Sequence, residues 1–202
     1  MIHAIVAAAM AMSTVVLPQA DVPPPGAVTI DMINGSGCPK GTTTVSVSPD
    51  NSAFHVVFSS YAAKVGPGAA PTDFRKNCQL SVRVNAPEGF VYGISEVDYA
   101  GYLHLERGAT SSLKSSFYFQ GMTDTGYRSH SWQGPVDDEW RATDVGSPII
   151  YPPCGVNRNL NINTELRVNA GTSDPKKASF MAMDTLDGYA KTDYVFSWKR
   201  CS

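Results

Sequence analysis

The sequence of 202 residues has little charge: Lys, Arg, Asp and Glu make up 17% of it, and the net charge is −2. A typical soluble domain contains about 25% charged residues. No basic excess is available for holding a phosphate backbone, which argues against a nucleic-acid partner. The sequence also has no unbroken apolar run of about 20 residues, the length that a bilayer-spanning helix needs. We therefore expect no membrane span.

Motifs of several enzyme classes are absent as well. The chain contains no G-x-S-x-G elbow, no H-E-x-x-H zinc motif, no P-loop and no G-x-G-x-x-G dinucleotide motif. None of its four cysteines forms a C-x-x-C pair of the zinc or redox type. We therefore expect neither a metal ion nor a cofactor, and the sequence assigns no catalytic residue.

Residues 1–20 have the pattern of a secretory signal peptide. Apolar residues dominate positions 4–17 and are followed by Pro18-Gln19-Ala20, which predicts cleavage after Ala20. A buried or interfacial N-terminal helix is the alternative. Residues 21–26 include three consecutive prolines and are predicted to form an extended leader. Residues 27–202 are within the size range of a single domain.

An even number of cysteines behind a signal peptide indicates disulfide bonds in a secreted, extracellular protein. Three pairings are possible. We favour Cys38–Cys78 with Cys154–Cys201, because each bond then closes one half of the chain and the second anchors a chain end that would otherwise fray. The crossed pairings stay open. The sequon Asn34-Gly35-Ser36 predicts N-glycosylation at Asn34 in a eukaryotic host.

Alternating apolar and polar residues recur along the chain and predict strands with one buried face. The alternation is clearest at residues 160–168, where all apolar residues occupy even positions. About nine such strands, separated by Gly, Pro, Asn and Asp turn residues, predict an all-β fold, an antiparallel β-sandwich. The predicted strands are residues 27–33, 43–47, 54–58, 80–84, 90–99, 113–119, 160–168, 179–183 and 194–198.

Residues 121–153 alternate least, and we predict a long loop or a pair of loops there, where binding residues are often found. The candidates are Trp132 and Trp140, whose rings could stack on a ligand, and the acidic run Asp137-Asp138-Glu139. With Asp144, that run has the oxygen ligands of a Ca²⁺ site, although a solvated acidic loop is the simpler interpretation. Four tyrosines could also contribute rings to a surface on which sugars stack: Tyr99, Tyr102, Tyr118 and Tyr127.

Glu96 and Asp98 lie two positions apart in a predicted strand and so face the same side, as the two acids of a glycosidase could. A solvated sheet face is the simpler interpretation. The sequence favours a non-enzymatic binding module for a surface, a polymer or a protein partner. The alternative is a secreted hydrolase or carbohydrate-binding protein acting on cell-wall glycan, with Glu96, Asp98 or residues 137–139 as acids. A cleft holding two carboxylates would favour the hydrolase.

Short segments in order along the chain carry a resemblance to a known family. They are Gly35-Ser36-Gly37-Cys38-Pro39, Arg75-Lys76-Asn77-Cys78-Gln79-Leu80, Asp98-Tyr99-Ala100-Gly101-Tyr102, Tyr118-Phe119-Gln120-Gly121, Pro153-Cys154-Gly155, Leu160-Asn161-Ile162-Asn163-Thr164 and Trp198-Lys199-Arg200-Cys201. The family that the chain resembles comprises small secreted proteins of fungi and bacteria known as domain of unknown function number 4360. The resemblance implies export and four cysteines at their expected places. It implies no activity and carries over no catalytic residue.

Overall fold

The computed structural model describes residues 28–86, 88–183 and 191–201. The predicted signal peptide and leader lie outside these residues. The described segments contain twelve strands and no helix. They therefore include no helix long and apolar enough to cross a membrane. The strands are β1 (Val28–Asn34), β2 (Thr43–Val47), β3 (Ala53–Phe58), β4 (Ala62–Val65), β5 (Arg75–Val84), β6 (Phe90–Leu105), β7 (Thr110–Phe119), β8 (Thr125–Gln133), β9 (Val136–Val145), β10 (Leu160–Asn169), β11 (Ser179–Ala182) and β12 (Thr192–Arg200).

The strands form two antiparallel sheets that pack into a sandwich. The five-stranded sheet has the order β1-β5-β10-β7-β8, and the seven-stranded sheet has the order β2-β3-β12-β6-β11-β4, with β9 also paired to β6. The long strand β6 has β9 along one side, while β12 and β11 share its other side in turn. Strands β8 and β9 are therefore edge strands, one in each sheet.

The core lies between the two sheets, where the alternating apolar side chains of the strands meet. In β10 the even positions Leu160, Ile162, Leu166 and Val168 are all buried, as the sequence predicts. Aromatic rings from the seven-stranded sheet fill much of the remaining space, and the large, fully buried tyrosines are Tyr61, Tyr92, Tyr99 and Tyr194. The prediction of an antiparallel all-β sandwich is confirmed, with twelve strands rather than nine in the described part of the chain.

The prediction that residues 121–153 form a loop is wrong, because β8 and β9 occupy most of that range. The positions of β8 that face into the sandwich include Arg128 and His130, and those of β9 include Asp144. Apolar and polar residues therefore do not alternate along either strand, although both strands have the extended conformation. Both strands lie at a sheet edge and have polar residues on their inner face. They therefore lack the alternation of apolar and polar residues from which strands are predicted.

The structure contains the favoured disulfide pairing. Cys38 bonds Cys78 with a Cα–Cα separation of 5.4 Å, and Cys154 bonds Cys201 with a separation of 5.8 Å; relaxed disulfides span about 4.4–6.8 Å. The first bond ties the connection between β1 and β2 to β5. The second ties the end of β12 to the connection between β9 and β10.

Trp140 requires a glycine on the neighbouring strand. Gly101 lies opposite Trp140 in the pairing of β6 with β9. A Cβ atom at Gly101 would overlap the carbonyl oxygen of Ala182 and lie 2.7 Å from Trp140 Nε1. The indole N–H donates to that same Ala182 oxygen over 3.0 Å. A glycine in the Asp98–Tyr102 segment thus lets the Trp140 ring pack against the backbone of two strands.

Candidate binding cleft

A cleft of about 530 Å³ opens where edge strands β8 and β9 face each other. Its volume is within the range of about 300–1,000 Å³ that small-molecule sites occupy. Residues of β6, β7 and β10 form its inner wall, and the segment 146–151 forms one side. The apolar side chains that line it include Ile94, Val97, Phe117, Phe119, Ile149 and Ile150.

Two large apolar side chains stand exposed at the lip of the cleft. Tyr127 on β8 is 72% exposed, and Val145 at the end of β9 is 58% exposed; both line the cleft. Arg128 crosses between the two strands, since its Nη1 donates to the Tyr127 carbonyl and its Nη2 donates to the Val145 carbonyl, each over 2.9 Å. The guanidinium therefore fixes the distance between the two sides of the mouth.

A buried carboxylate, that of Asp144, lies at the inner end of the cleft. Asp144 is 5% exposed. Its Oδ2 accepts hydrogen bonds from the Tyr99 hydroxyl (3.0 Å) and the Ser115 hydroxyl (2.8 Å), and its Oδ1 lies 2.6 Å from His130 Nε2. Burial is the main cause that raises the pKa of Tyr99 well above its usual value, so its hydroxyl keeps the proton that it donates. Both oxygens of Asp144 are thus engaged.

Ser115, His130 and Asp144 are the three residue types of a hydrolytic triad, but their connections differ from one. A triad places the imidazole between the serine and the carboxylate, so that the ring can take the serine proton. Here Ser115 and His130 both bind the carboxylate of Asp144. The arrangement activates no nucleophile and instead joins neighbouring strands. Sequence reasoning did not bring these residues together, because serine and histidine in strands are common surface residues.

The structure brings Trp132 and Trp140 together, but inside the sandwich. Their ring centroids are 5.0 Å apart, and Trp132 also lies 6.2 Å from the His130 ring. Trp140 is only 3% exposed, and Trp132 is partly buried against the core. Trp140 therefore has no ring face available for stacking on a ligand.

The acidic run 137–139 lies on β9 rather than in a loop, and its side chains alternate between the two sides of the strand. Asp137 accepts a hydrogen bond from the Tyr102 hydroxyl over 2.7 Å and lies 3.1 Å from His104 Nδ1. The hydrogen bond from Tyr102, followed by that from His104, lowers the pKa of Asp137. Asp138 and Glu139 are exposed. Within the described segments, no three His, Cys, Asp or Glu residues converge to hold a metal ion. Residues 137–139 therefore do not form a cation site with Asp144.

Glu96 and Asp98 do face the same side, on the outer face of the seven-stranded sheet. Asp98 Oδ1 accepts a hydrogen bond from Thr143 over 2.6 Å. The residue opposite Asp98 on β12 is Asp193, whose carboxylate lies 2.6 Å from His55 Nδ1. The two predicted acids therefore lie on an open sheet face, outside the cleft. The cleft has its own two carboxylates, the engaged Asp144 and the exposed Asp124.

The remaining aromatic candidates do not form one platform. Tyr99 is buried in the core. Tyr102 lies on the outer face of the seven-stranded sheet, where its ring stacks 6.1 Å from Phe180. Tyr118 and Tyr127 lie on the outer face of the five-stranded sheet, on neighbouring strands. Asn34, the predicted glycosylation site, is exposed at the end of β1.

Comparison with known proteins gives one family and one fungal relative. The model of a family described as a domain of unknown function (DUF4360) matches residues 27–201. A protein of Arthroderma benhamiae named "Uncharacterized secreted protein" is 34% identical over 170 residues, which cover 83% of this chain and 69% of the relative.

Two solved structures show a weak likeness to the chain. One is the enzymatically active domain of tailspike protein 4 from bacteriophage CBA120, with a TM-score of 0.26 and 11% identity, covering 86% of this chain. The chain spans about a fifth of that domain's length, 20%. The other is the family 11 carbohydrate-binding module from Clostridium thermocellum, with a TM-score of 0.29 and 9% identity, covering 83% of this chain and 86% of the module. At such TM-scores neither likeness bears on function.

Proposed function

The chain belongs to the DUF4360 family of domains of unknown function, and we propose that it is a non-enzymatic binding protein that holds a small ligand with an apolar body in the cleft between β8 and β9. It is a secreted, extracellular protein. The fungal relative is named a secreted protein, and the two disulfide bonds are typical of an oxidising compartment.

The exposed apolar lip of the cleft carries this proposal. Soluble proteins seldom leave large apolar side chains exposed next to an apolar cavity unless something covers them. Tyr127 and Val145 stand on opposite sides of the mouth, and Arg128 fixes their spacing. A ligand that enters beside the Arg128 guanidinium would contact the apolar wall of the cleft and cover part of the two exposed side chains that line it, which supports binding.

The carboxylates of the cleft give less support to a hydrolase. A glycosidase needs one carboxylic acid to give a proton and a second carboxylate to act on the sugar or on water. Asp144 is buried, its Oδ2 accepts from Tyr99 and Ser115 and its Oδ1 contacts His130, so it has no free oxygen for a substrate. Release of sugar from a cell-wall glycan by the wild-type protein, abolished in Asp124→Asn, would favour the hydrolase over binding.

Gly126 allows the cleft to be filled without disturbing the core. It lines the cleft, and the nearest atoms to a Cβ atom there would be Ile150 Cδ1 at 3.8 Å and two atoms of Phe117 at 4.0 Å, which are ordinary contact distances. The substitution Gly126→Leu places a larger side chain in the cavity. Ser129→Leu adds the same side chain to the outer face of the same strand, away from the cleft, and is the matched control.

Binding is measured with the dye 1-anilinonaphthalene-8-sulfonate and with a panel of aromatic and fatty-acyl amphiphiles. We expect saturable binding at one site by the wild-type protein and by Ser129→Leu. Gly126→Leu should bind at least about tenfold more weakly, a difference of about 1.4 kcal/mol. Equal binding by all three proteins, or no saturable binding by the folded wild-type protein, would contradict the proposal.

A further inference from the structure

The outer face of the five-stranded sheet carries two neighbouring rows of side chains without any charge. The strand register places one side chain of each of four adjacent strands in each row. The first row is Gln79, Asn163, Ser116 and Tyr127, and the second is Ser81, Asn161, Tyr118 and Thr125. We call these eight residues the neutral strip. It lies on the opposite side of the sheet from the core.

Charge on the same face is confined to the rows beside the strip. The next rows contain Arg75, Lys114, Glu165 and Arg167, and Glu165 lies 2.6 Å from Arg75 Nη2 and 3.5 Å from Arg167 Nε. On the other side of the strip, Arg83 donates to Asn159. The strip is therefore an uncharged band bounded by charged side chains on both sides.

Apart from Ser81, which is buried and accepts a hydrogen bond from Asn159 Nδ2 over 3.1 Å, the side chains of the strip offer hydrogen bonds of both kinds. An amide group both donates and accepts, as does a hydroxyl. The amides of Gln79, Asn161 and Asn163 are only half-exposed, so little rotamer freedom is left to lose on binding. Asn163 is also held by a neighbouring side chain, since its Nδ2 donates to Ser116 Oγ over 3.5 Å.

Two tyrosines at one end of the strip add ring surface. Tyr118 on β7 is half-exposed, and Tyr127 on β8 is 72% exposed. Their positions are diagonal neighbours across the two strands, because Tyr118 pairs with Thr125 and Ser116 pairs with Tyr127. The four strands together span about 14 Å at the usual strand spacing. The strip thus combines an extended hydrogen-bonding surface with an aromatic end.

We propose that the neutral strip binds a neutral polysaccharide, with the sugar chain crossing β5, β10, β7 and β8. Sugar hydroxyls match the amide and hydroxyl groups, and the apolar face of a sugar ring matches a tyrosine ring. An acidic polymer would gain no ion pair within the strip. Tyr118, Thr125 and Tyr127 belong to the strip and also line the cleft, so the test uses Asn161 and Asn163, which do not line it.

The test uses isosteric substitutions that add charge to the strip. Protein made in a bacterial host, where Asn34 carries no glycan, is titrated calorimetrically with cellohexaose, laminarihexaose and chitohexaose, and with hexagalacturonate as the acidic comparison. We expect binding of at least one neutral hexasaccharide and none of hexagalacturonate. Asn161→Asp and Asn163→Asp should each weaken binding at least about tenfold, because a carboxylate cannot donate. Ser131→Asp, on the same face but outside the strip, should bind as the wild-type protein does.

Amide chemical shifts of the wild-type protein give a readout that does not depend on the variants folding. Titration with the bound oligosaccharide should shift resonances of β5, β10, β7 and the start of β8. The cleft-filling Gly126→Leu protein should keep its glycan affinity. Three results would overturn the proposal: no binding of any neutral hexasaccharide, unchanged affinity in both Asn→Asp proteins, or shifts confined to the cleft or to the seven-stranded sheet.

Discussion

His130 Nε2 lies 2.6 Å from Asp144 Oδ1, and this contact joins β8 of the five-stranded sheet to β9 of the seven-stranded sheet. The same carboxylate receives hydrogen bonds from Ser115 of the first sheet and Tyr99 of the second. The buried Asp144, itself on the seven-stranded sheet, thus has two polar partners on the five-stranded sheet and one on its own sheet. The edge of the sandwich beside the cleft is held by polar contacts in place of apolar packing.

We expect Asp144→Ala to lower the free energy of unfolding by at least about 2 kcal/mol, because removing a buried acceptor leaves its donors unsatisfied. Asp138→Ala is the matched control, since Asp138 is an exposed aspartate on the same strand, and should change stability by no more than about 0.5 kcal/mol. Urea unfolding followed by circular dichroism measures both. Equal effects of the two substitutions on the free energy of unfolding would show that the hydrogen bonds of Asp144 do not stabilise the sandwich.

Two buried tyrosines should respond in opposite ways to loss of the hydroxyl. The Tyr194 hydroxyl makes no hydrogen bond within the described residues, so Tyr194→Phe should stabilise the protein by about 1 kcal/mol, since an unsatisfied buried polar group is costly. The Tyr61 hydroxyl lies 3.1 Å from Thr164 Oγ1, so Tyr61→Phe should destabilise by about 1 kcal/mol. Thermal unfolding of both proteins decides the matter. A loss of stability in Tyr194→Phe would indicate a partner for that hydroxyl.

Stability should fall steeply in alkali. Burial is the largest cause that raises the pKa of Tyr61, Tyr92, Tyr99 and Tyr194 above the ordinary value of tyrosine. Below pH about 10 both the folded and the unfolded chain keep these protons. Above it only the unfolded chain releases them, so stability is lost as pH rises, by about 1.4 kcal/mol per pH unit for each tyrosine.

Tyrosinate absorbance and circular dichroism, recorded together during an alkaline titration, check this expectation. The absorbance of the buried tyrosines should appear in one cooperative step that coincides with unfolding. Their gradual ionisation near pH 10 in a protein that keeps its native circular dichroism would contradict it.

Removal of the Cys154–Cys201 bond by Cys154→Ser with Cys201→Ser should loosen β12. The bond closes a loop of 47 positions. In the chain-entropy model, loss of a bond that closes a loop of that size lowers the free energy of unfolding by about 4 kcal/mol. Trp198 packs against Tyr92 and Phe196 near that end of β12 and should become accessible to acrylamide. The matched control removes Cys38–Cys78, which spans 40 positions and should leave the quenching of Trp198 nearly unchanged.

Asn34 should carry a glycan when the protein is secreted from a eukaryotic cell. It is exposed, and it lies at the end of an edge strand, where a transferase can reach it. Asn34→Gln should lower the intact mass by that of one N-glycan, and glycosidase treatment of the wild-type protein should give the same loss. Ser36→Thr keeps the sequon and should stay modified. An unchanged mass in Asn34→Gln would mean that the sequon is not used.

The sequence predicts well the part of the fold in which a strand has one apolar and one polar face. Strand β10 follows the predicted range almost to the residue, because its even positions all face the core. Strand β6 continues to Leu105, beyond the predicted end at residue 99. Beyond that point Gly101, at a position that faces the core, interrupts the apolar side of the pattern.

The cleft could not be predicted in the same way. Its edge strands β8 and β9 place Arg128, His130 and Asp144 on their inner sides. These polar residues define the site, and they also break the apolar alternation that would have predicted the two strands. The sequence indicates Trp140 as a binding residue only through the chemistry of its ring. Its burial depends on Gly101, which is remote in sequence and adjacent only once β6 and β9 pair.

The position of β12 has a consequence for when the sandwich can form. β12 follows every other described strand in the chain, yet it lies inside the seven-stranded sheet, between β3 and β6. A chain that emerges from the N-terminal end first leaves β3 and the first half of β6 without their shared neighbour until β12 has emerged. The seven-stranded sheet can therefore be completed only once β12 is available to join β3 to β6.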